Sequence, residues 1–138
     1  MSSSTKAAYS DNYQTVPGLV TKSDLSSYQF YAVKFASTAG QVKLTGSQIL
    51  TNGFVLMNTP KGTSTAPAAC EVAYQGIVKA VSGTSVMTVG AQLRSNTTSQ
   101  LVPTATAGIL VIGRCLQAPG TKGDIIPVAL FQGGRLYS

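Results

Sequence analysis

Between Gly53 and Leu130 the chain alternates short β-branched runs with breaks marked by glycine and other turn residues. The runs are Gly53-Phe-Val-Leu-Met57, Cys70-Glu-Val-Ala-Tyr74, Gly76-Ile-Val-Lys-Ala-Val81, Ile109-Leu-Val-Ile112 and Asp124-Ile-Ile-Pro-Val-Ala-Leu130. Runs of this length and composition predict an all-β fold, a small barrel or sandwich. Strands are also expected at Tyr28–Phe35, Gln41–Leu44 and Leu101–Thr104. Gly46–Asn52 reads as a loop or one helical turn. Ala68–Val81 is one long strand or two, with Gly76 a bulge or corner. Gly108–Leu116 is apolar on both faces, which places it at the sheet centre or at a subunit contact. Pro127 has no N–H to give to a ladder, so the last strand is expected at an edge or with Pro127 facing outward.

Residues 1–27 break this pattern. They are rich in Ser, Thr, Tyr and Asn, and their apolar residues follow neither helical nor strand periodicity. Pro17 biases Val16 to an extended conformation. The segment divides the chain into an extended N-terminal arm, residues 1–24, and a β core, residues 25–138. Tyr9, Tyr13, Val16, Leu19 and Val20 are the arm residues suited to lying across a partner. The alternatives are a loose tail or an added edge strand of the chain's own domain.

Composition narrows the function. At 138 residues the chain is one domain with room for a real core. Only 10% of residues are charged, so neighbours can cover the surface with few ions to desolvate. The net charge of +6 is spread along the sequence, with no basic cluster interleaved with aromatics. No nucleic-acid partner is expected. No segment approaches the ~18 consecutive apolar residues of a membrane span, and the N-terminus lacks the apolar core of a signal peptide. The expectation is a soluble protein made in a cytoplasm, without a membrane partner. Cys70 and Cys115 then read as free, buried thiols.

The chain has no histidine, which removes Ser-His-Asp and Cys-His catalytic units and His-ligated metals. Its four carboxylates are far apart in sequence, and Glu71 and Asp124 read as solvated or salt-bridged groups. The glycines never form a phosphate-binding loop between a strand and a helix. The chain is expected not to be an enzyme, with no catalytic residue, no metal and no cofactor. Arg114, between Ile112 and Leu116 on an apolar strand, reads either as an interface arginine or as one whose head reaches solvent at a strand end. Ile112, Arg114 and Leu116 are the candidate subunit contact.

Five stretches carry a family resemblance: Leu25-Ser-Ser-Tyr-Gln-Phe-Tyr-Ala-Val-Lys34, Gly53-Phe-Val-Leu-Met-Asn-Thr-Pro60, Val72-Ala-Tyr-Gln-Gly-Ile-Val-Lys79, Val86-Met-Thr-Val-Gly-Ala-Gln-Leu93, and Val111-Ile-Gly-Arg-Cys-Leu116 with Gly123-Asp-Ile-Ile126. With these the chain resembles the small all-β decoration, or cement, proteins of tailed-phage heads over residues 25–131. The arm lies outside the match, and Pro127 stands where a charged residue is expected. The resemblance implies a homotrimer made in the host cytoplasm. It would bind the major capsid protein on the outer surface of the capsid in the virion and reinforce the lattice. The alternative is a receptor- or glycan-binding β module of a phage head fibre or tail, to which tyrosines and Asn/Ser/Thr loops are suited.

Overall fold

A computed structural model of the chain describes residues 12–46, 54–58, 61–63 and 65–136. Tyr9 and most of the Gly46–Asn52 segment lie outside the described residues. Those described form no helix and ten strands: β1 (Asn12–Thr15), β2 (Val20–Thr21), β3 (Ala32–Phe35), β4 (Gln41–Leu44), β5 (Phe54–Leu56), β6 (Val72–Val81), β7 (Gln92–Ser95), β8 (Leu101–Pro103), β9 (Leu110–Cys115) and β10 (Ile125–Leu136). The all-β expectation holds. The strands make one sheet in the order β2-β4-β3-β5-β6-β10-β9-β7-β8, with β1 also on β6. The sheet does not close into a continuous barrel. Its far strand β8 returns to the end of β6 through a single parallel bridge, Ser82 to Leu101.

β6 organises the fold. Ala73 faces Thr15 of β1 and Val55 of β5, while Ile77 faces Asn12 of β1 and Ala129 of β10. A strand residue has one pairing partner on each side, so β1 runs along one side of β6, and β5 and β10 share the other in succession. The break between them falls at Tyr74 and Gln75, just before Gly76, whose φ of 105° lies in a region that side chains disfavour. Side-chain facing changes there too. Before it, Ala73 points to the core shared with β9 and β10; beyond it, Val78 and Ala80 do. The parity has shifted by one residue, as an irregularity of the β1–β6 register produces: Gln14 faces Gln75 but Thr15 faces Ala73, which leaves Tyr74 as the extra residue.

Two apolar cores result. One holds Ala32, Val55, Ala73, Val78, Leu93, Leu101, Ile112, Ile126 and Val128; the other holds Leu19, Leu25, Val33, Val42, Phe54, Leu56 and Val72. Neighbours on one strand go to opposite cores: Ala32 and Val33, Val55 and Leu56, Val72 and Ala73. β3, β5 and the first part of β6 are therefore a wall between two cores, which is why Phe54–Leu56 is apolar at every position. Burying each such large side chain contributes about 1.5–3 kcal/mol.

Three expectations change. Tyr28–Phe35 is not one strand: only Ala32–Phe35 pairs, and before it Phe30 has φ 69° within turns closed from Tyr28 N to Leu25 O and from Tyr31 N to Tyr28 O. Pro127 is buried in β10, between β6 and β9, rather than at an edge. It is tolerated because its carbonyl, and so its nitrogen, faces β9 where that ladder ends: Pro127 O accepts the last bond there, from Leu116 N at 3.0 Å. Of the two readings of Asp124, solvated or salt-bridged, burial removes the first. Its carboxylate accepts bonds from Gly120 N at 2.7 Å, Thr121 N at 3.0 Å and Thr121 Oγ1 at 2.9 Å.

Candidate functional site

The arm candidates, as far as they are described, lie in the chain's own sheet. Tyr13 in β1 is half-buried against the first core, and its hydroxyl lies 3.4 Å from Glu71 Oε1. Val16 packs on the second core, and Leu19 belongs to it with 6% of its surface exposed. Val20 in β2 is held between Gln41 of β4 and Ala69. Asn12–Thr15 and Val20–Thr21 are strands of the chain's own sheet, and Leu19 and Leu25 share one core across the expected 24/25 boundary. The apolar residues show no strand periodicity because β1 and β2 are short.

The candidate subunit contact also divides. Ile112 is fully buried in the chain's own first core, so its side chain is closed to a partner. The doubly apolar strand is central, with β9 between β10 and β7. Arg114 is half-buried, its guanidinium 5.9 Å from the Phe131 ring centroid and 3.4 Å from Gly90 O. Leu116, just past the strand, is half-buried. Among the described residues the larger apolar side chains facing solvent lie elsewhere, at Phe35, Val86 and Val89.

Sequence reasoning missed a groove of about 620 Å³ lined by Tyr28, Tyr31, Leu44, Thr98, Gln100 and Lys122 among others. One wall is the turn before β3, where the Tyr28 and Tyr31 rings meet edge to face at 5.2 Å and 85°. The other is the Asn96–Gln100 turn, which Asn96 Oδ1 ties by accepting from Thr98 N at 2.9 Å, Thr98 Oγ1 at 2.8 Å and Gln100 N at 3.0 Å. Ser99 in that turn has φ 65° and is held at both ends: its Oγ accepts from Gly46 N at 2.7 Å, and its carbonyl accepts from Ala32 N at 2.8 Å. Gln100 Nε2 donates across the groove to the Tyr31 hydroxyl at 3.1 Å.

The chain's fold has a counterpart. It resembles that of a phage head-fibre base. The structure "The crystal structure of head fiber gp8.5 N base in bacteriophage phi29" matches with a TM-score of 0.61 over 85% of this chain and 93% of that one. The two are 13% identical, so the likeness is one of fold. No family model and no curated protein sequence matches the chain.

Within this fold the reactive side chains stay apart. Among the described residues no three of His, Cys, Asp and Glu gather as metal ligands. Both thiols are free; burial pushes Cys70 up to about 11 and also raises Cys115, so both stay protonated at neutral pH. Asp24 is exposed, its carboxyl held below the usual range first by the bond from Ser26 N. The groove's groups are those of a binding surface: ring faces, hydroxyls, an amide and one ammonium.

Proposed function

We propose that this chain is a structural protein of a phage head that seats on the outer surface of the capsid, meets the major capsid protein there and reinforces the lattice. The observation that carries the reading is the shared fold with the N base of a head fibre, which spans nearly the whole of that base. The sparse charge adds to it, since a surface with 10% charged residues can be covered at little desolvation cost. Many weakly held copies act together on one shell, so individual contacts can be modest. On the capsid the chain is a homotrimer in this reading.

Mixing the purified protein with heads that lack it, followed by pelleting, tests the reading. Saturable co-sedimentation at a fixed ratio to capsid protein is expected. Protein that stays in the supernatant at every concentration would remove capsid binding from the account.

A further inference from the structure

We propose that the groove between the Tyr28–Tyr31 turn and the Asn96–Gln100 turn is a preformed binding site for a short saccharide bearing an anionic group. The site is independent of capsid attachment and gives the chain a second function, contact with a sugar polymer outside the head.

The backbone is the first argument. Among the described residues, only Phe30 and Ser99 are non-glycine residues with positive φ, at 69° and 65°. They stand on opposite walls of this groove, Phe30 between Tyr28 and Tyr31 and Ser99 between Thr98 and Gln100. Disfavoured backbone is retained where the surroundings over-determine it, and it clusters at ligand clamps. Here the surroundings are explicit: Phe30 N reaches Leu56 O, Ser99 is bonded at its hydroxyl and carbonyl, and Asn96 closes its turn with three bonds. The Gln100–Tyr31 bond ties the walls together, so the groove keeps its shape without a ligand.

Its lining sets the ligand class. The volume of about 620 Å³ lies within the ~300–1,000 Å³ of ligand sites. The half-buried Tyr28 and Tyr31 rings and the Leu44 side chain offer an apolar face to the C–H side of a pyranose. Among the described residues no acceptor takes the hydroxyl proton of Tyr28 or of Tyr31, whose oxygen already accepts from Gln100. Gln100 and Thr98 add an amide and a hydroxyl to match ring hydroxyls. Among the described residues of the lining the exposed Lys122 is the one cation, and a carboxylate or phosphate on the sugar would meet it.

Heteronuclear NMR on the full chain, 14.2 kDa, tests this with lactose, sialyllactose and galactose 6-phosphate. Saturable shifts of the Gln100 side-chain amide and the Tyr28 and Tyr31 rings are expected with sialyllactose or galactose 6-phosphate, at a Kd ~tenfold lower than for lactose. The two anionic probes distinguish a carboxylate-bearing from a phosphate-bearing sugar. Lys122→Gln, at an exposed position, should bring the anionic probe to the lactose affinity. Tyr28→Ala should abolish shifts with every probe, and Tyr28→Phe, which keeps the ring, should retain them in part. No saturable shift with any probe, or shifts confined to another surface, would overturn the site. Equal binding of lactose and the anionic sugars, or unchanged binding by Lys122→Gln, would overturn its anionic specificity.

Discussion

Lys34 of β3 and Lys43 of β4 stand directly opposite one another across an antiparallel pair. Both are half-buried, and among the described residues neither has an acidic partner. Like charges in facing positions oppose sheet pairing. Lys43→Glu should therefore stabilise the protein by about 0.2–1 kcal/mol at low salt. Urea unfolding at low and high ionic strength checks this, and the gain should shrink in high salt as screening removes both the repulsion and the new attraction.

Leu19 tests whether residues 12–24 belong to the fold. It is 6% exposed in the second core. Leu19→Ala should cost about 2–5 kcal/mol of unfolding free energy, the range for emptying a buried leucine site. An arm that only touched a partner would leave the isolated chain's stability unchanged, so a shift of the urea midpoint decides between the two.

Gly113 marks a close approach of β9 to β10. A Cβ there would lie 2.6 Å from Val128 Cγ1 and 2.7 Å from the Ala129 carbonyl oxygen, and the backbone of a central strand cannot step aside. Gly113→Ala should destabilise by about 1–3 kcal/mol or more, as overpacking does, with a lowered melting temperature as the readout.

Much of the β pattern was legible because it is local. Gln41–Leu44, Leu101–Pro103 and Leu110–Cys115 alternate or cluster apolar residues between turn signals, and they are strands. What was hidden depends on distant partners. β1 and β2 read as an arm because β1 pairs with residues 73–77 and β2 with residues 41–42, and nothing in a polar Asn-Tyr-Gln-Thr stretch announces either. β10 runs past Phe131 through two glycines to Leu136 because β9 offers Val111 and Leu110 as partners. The rule that puts Pro127 at an edge or facing outward holds only where the missing N–H interrupts a ladder, and here the ladder ends. The groove is not legible in the sequence because its walls come from residues 28–31 and 97–100, which are distant along the chain and meet only in the fold.

The thiols carry a pH dependence. Burial raises Cys70 from the ordinary thiol value to about 11, so the folded chain holds that proton more tightly than the unfolded one. The stability this contributes is fully present below about pH 9 and is lost as pH rises through about 11. In parallel, alkylation of native Cys70 by iodoacetamide at pH 8 should run well below the rate in urea and climb only in strong alkali. Equal rates in native and unfolded protein would contradict the protected thiol.

The seat on the capsid is the central claim, and a cryo-EM reconstruction of heads incubated with the purified chain tests it most directly. The account predicts added density on the outer surface where capsid subunits meet, arranged in threes and fitted by the ten-stranded fold. Heads with no added density at saturating protein, or density confined to the tail, would contradict it.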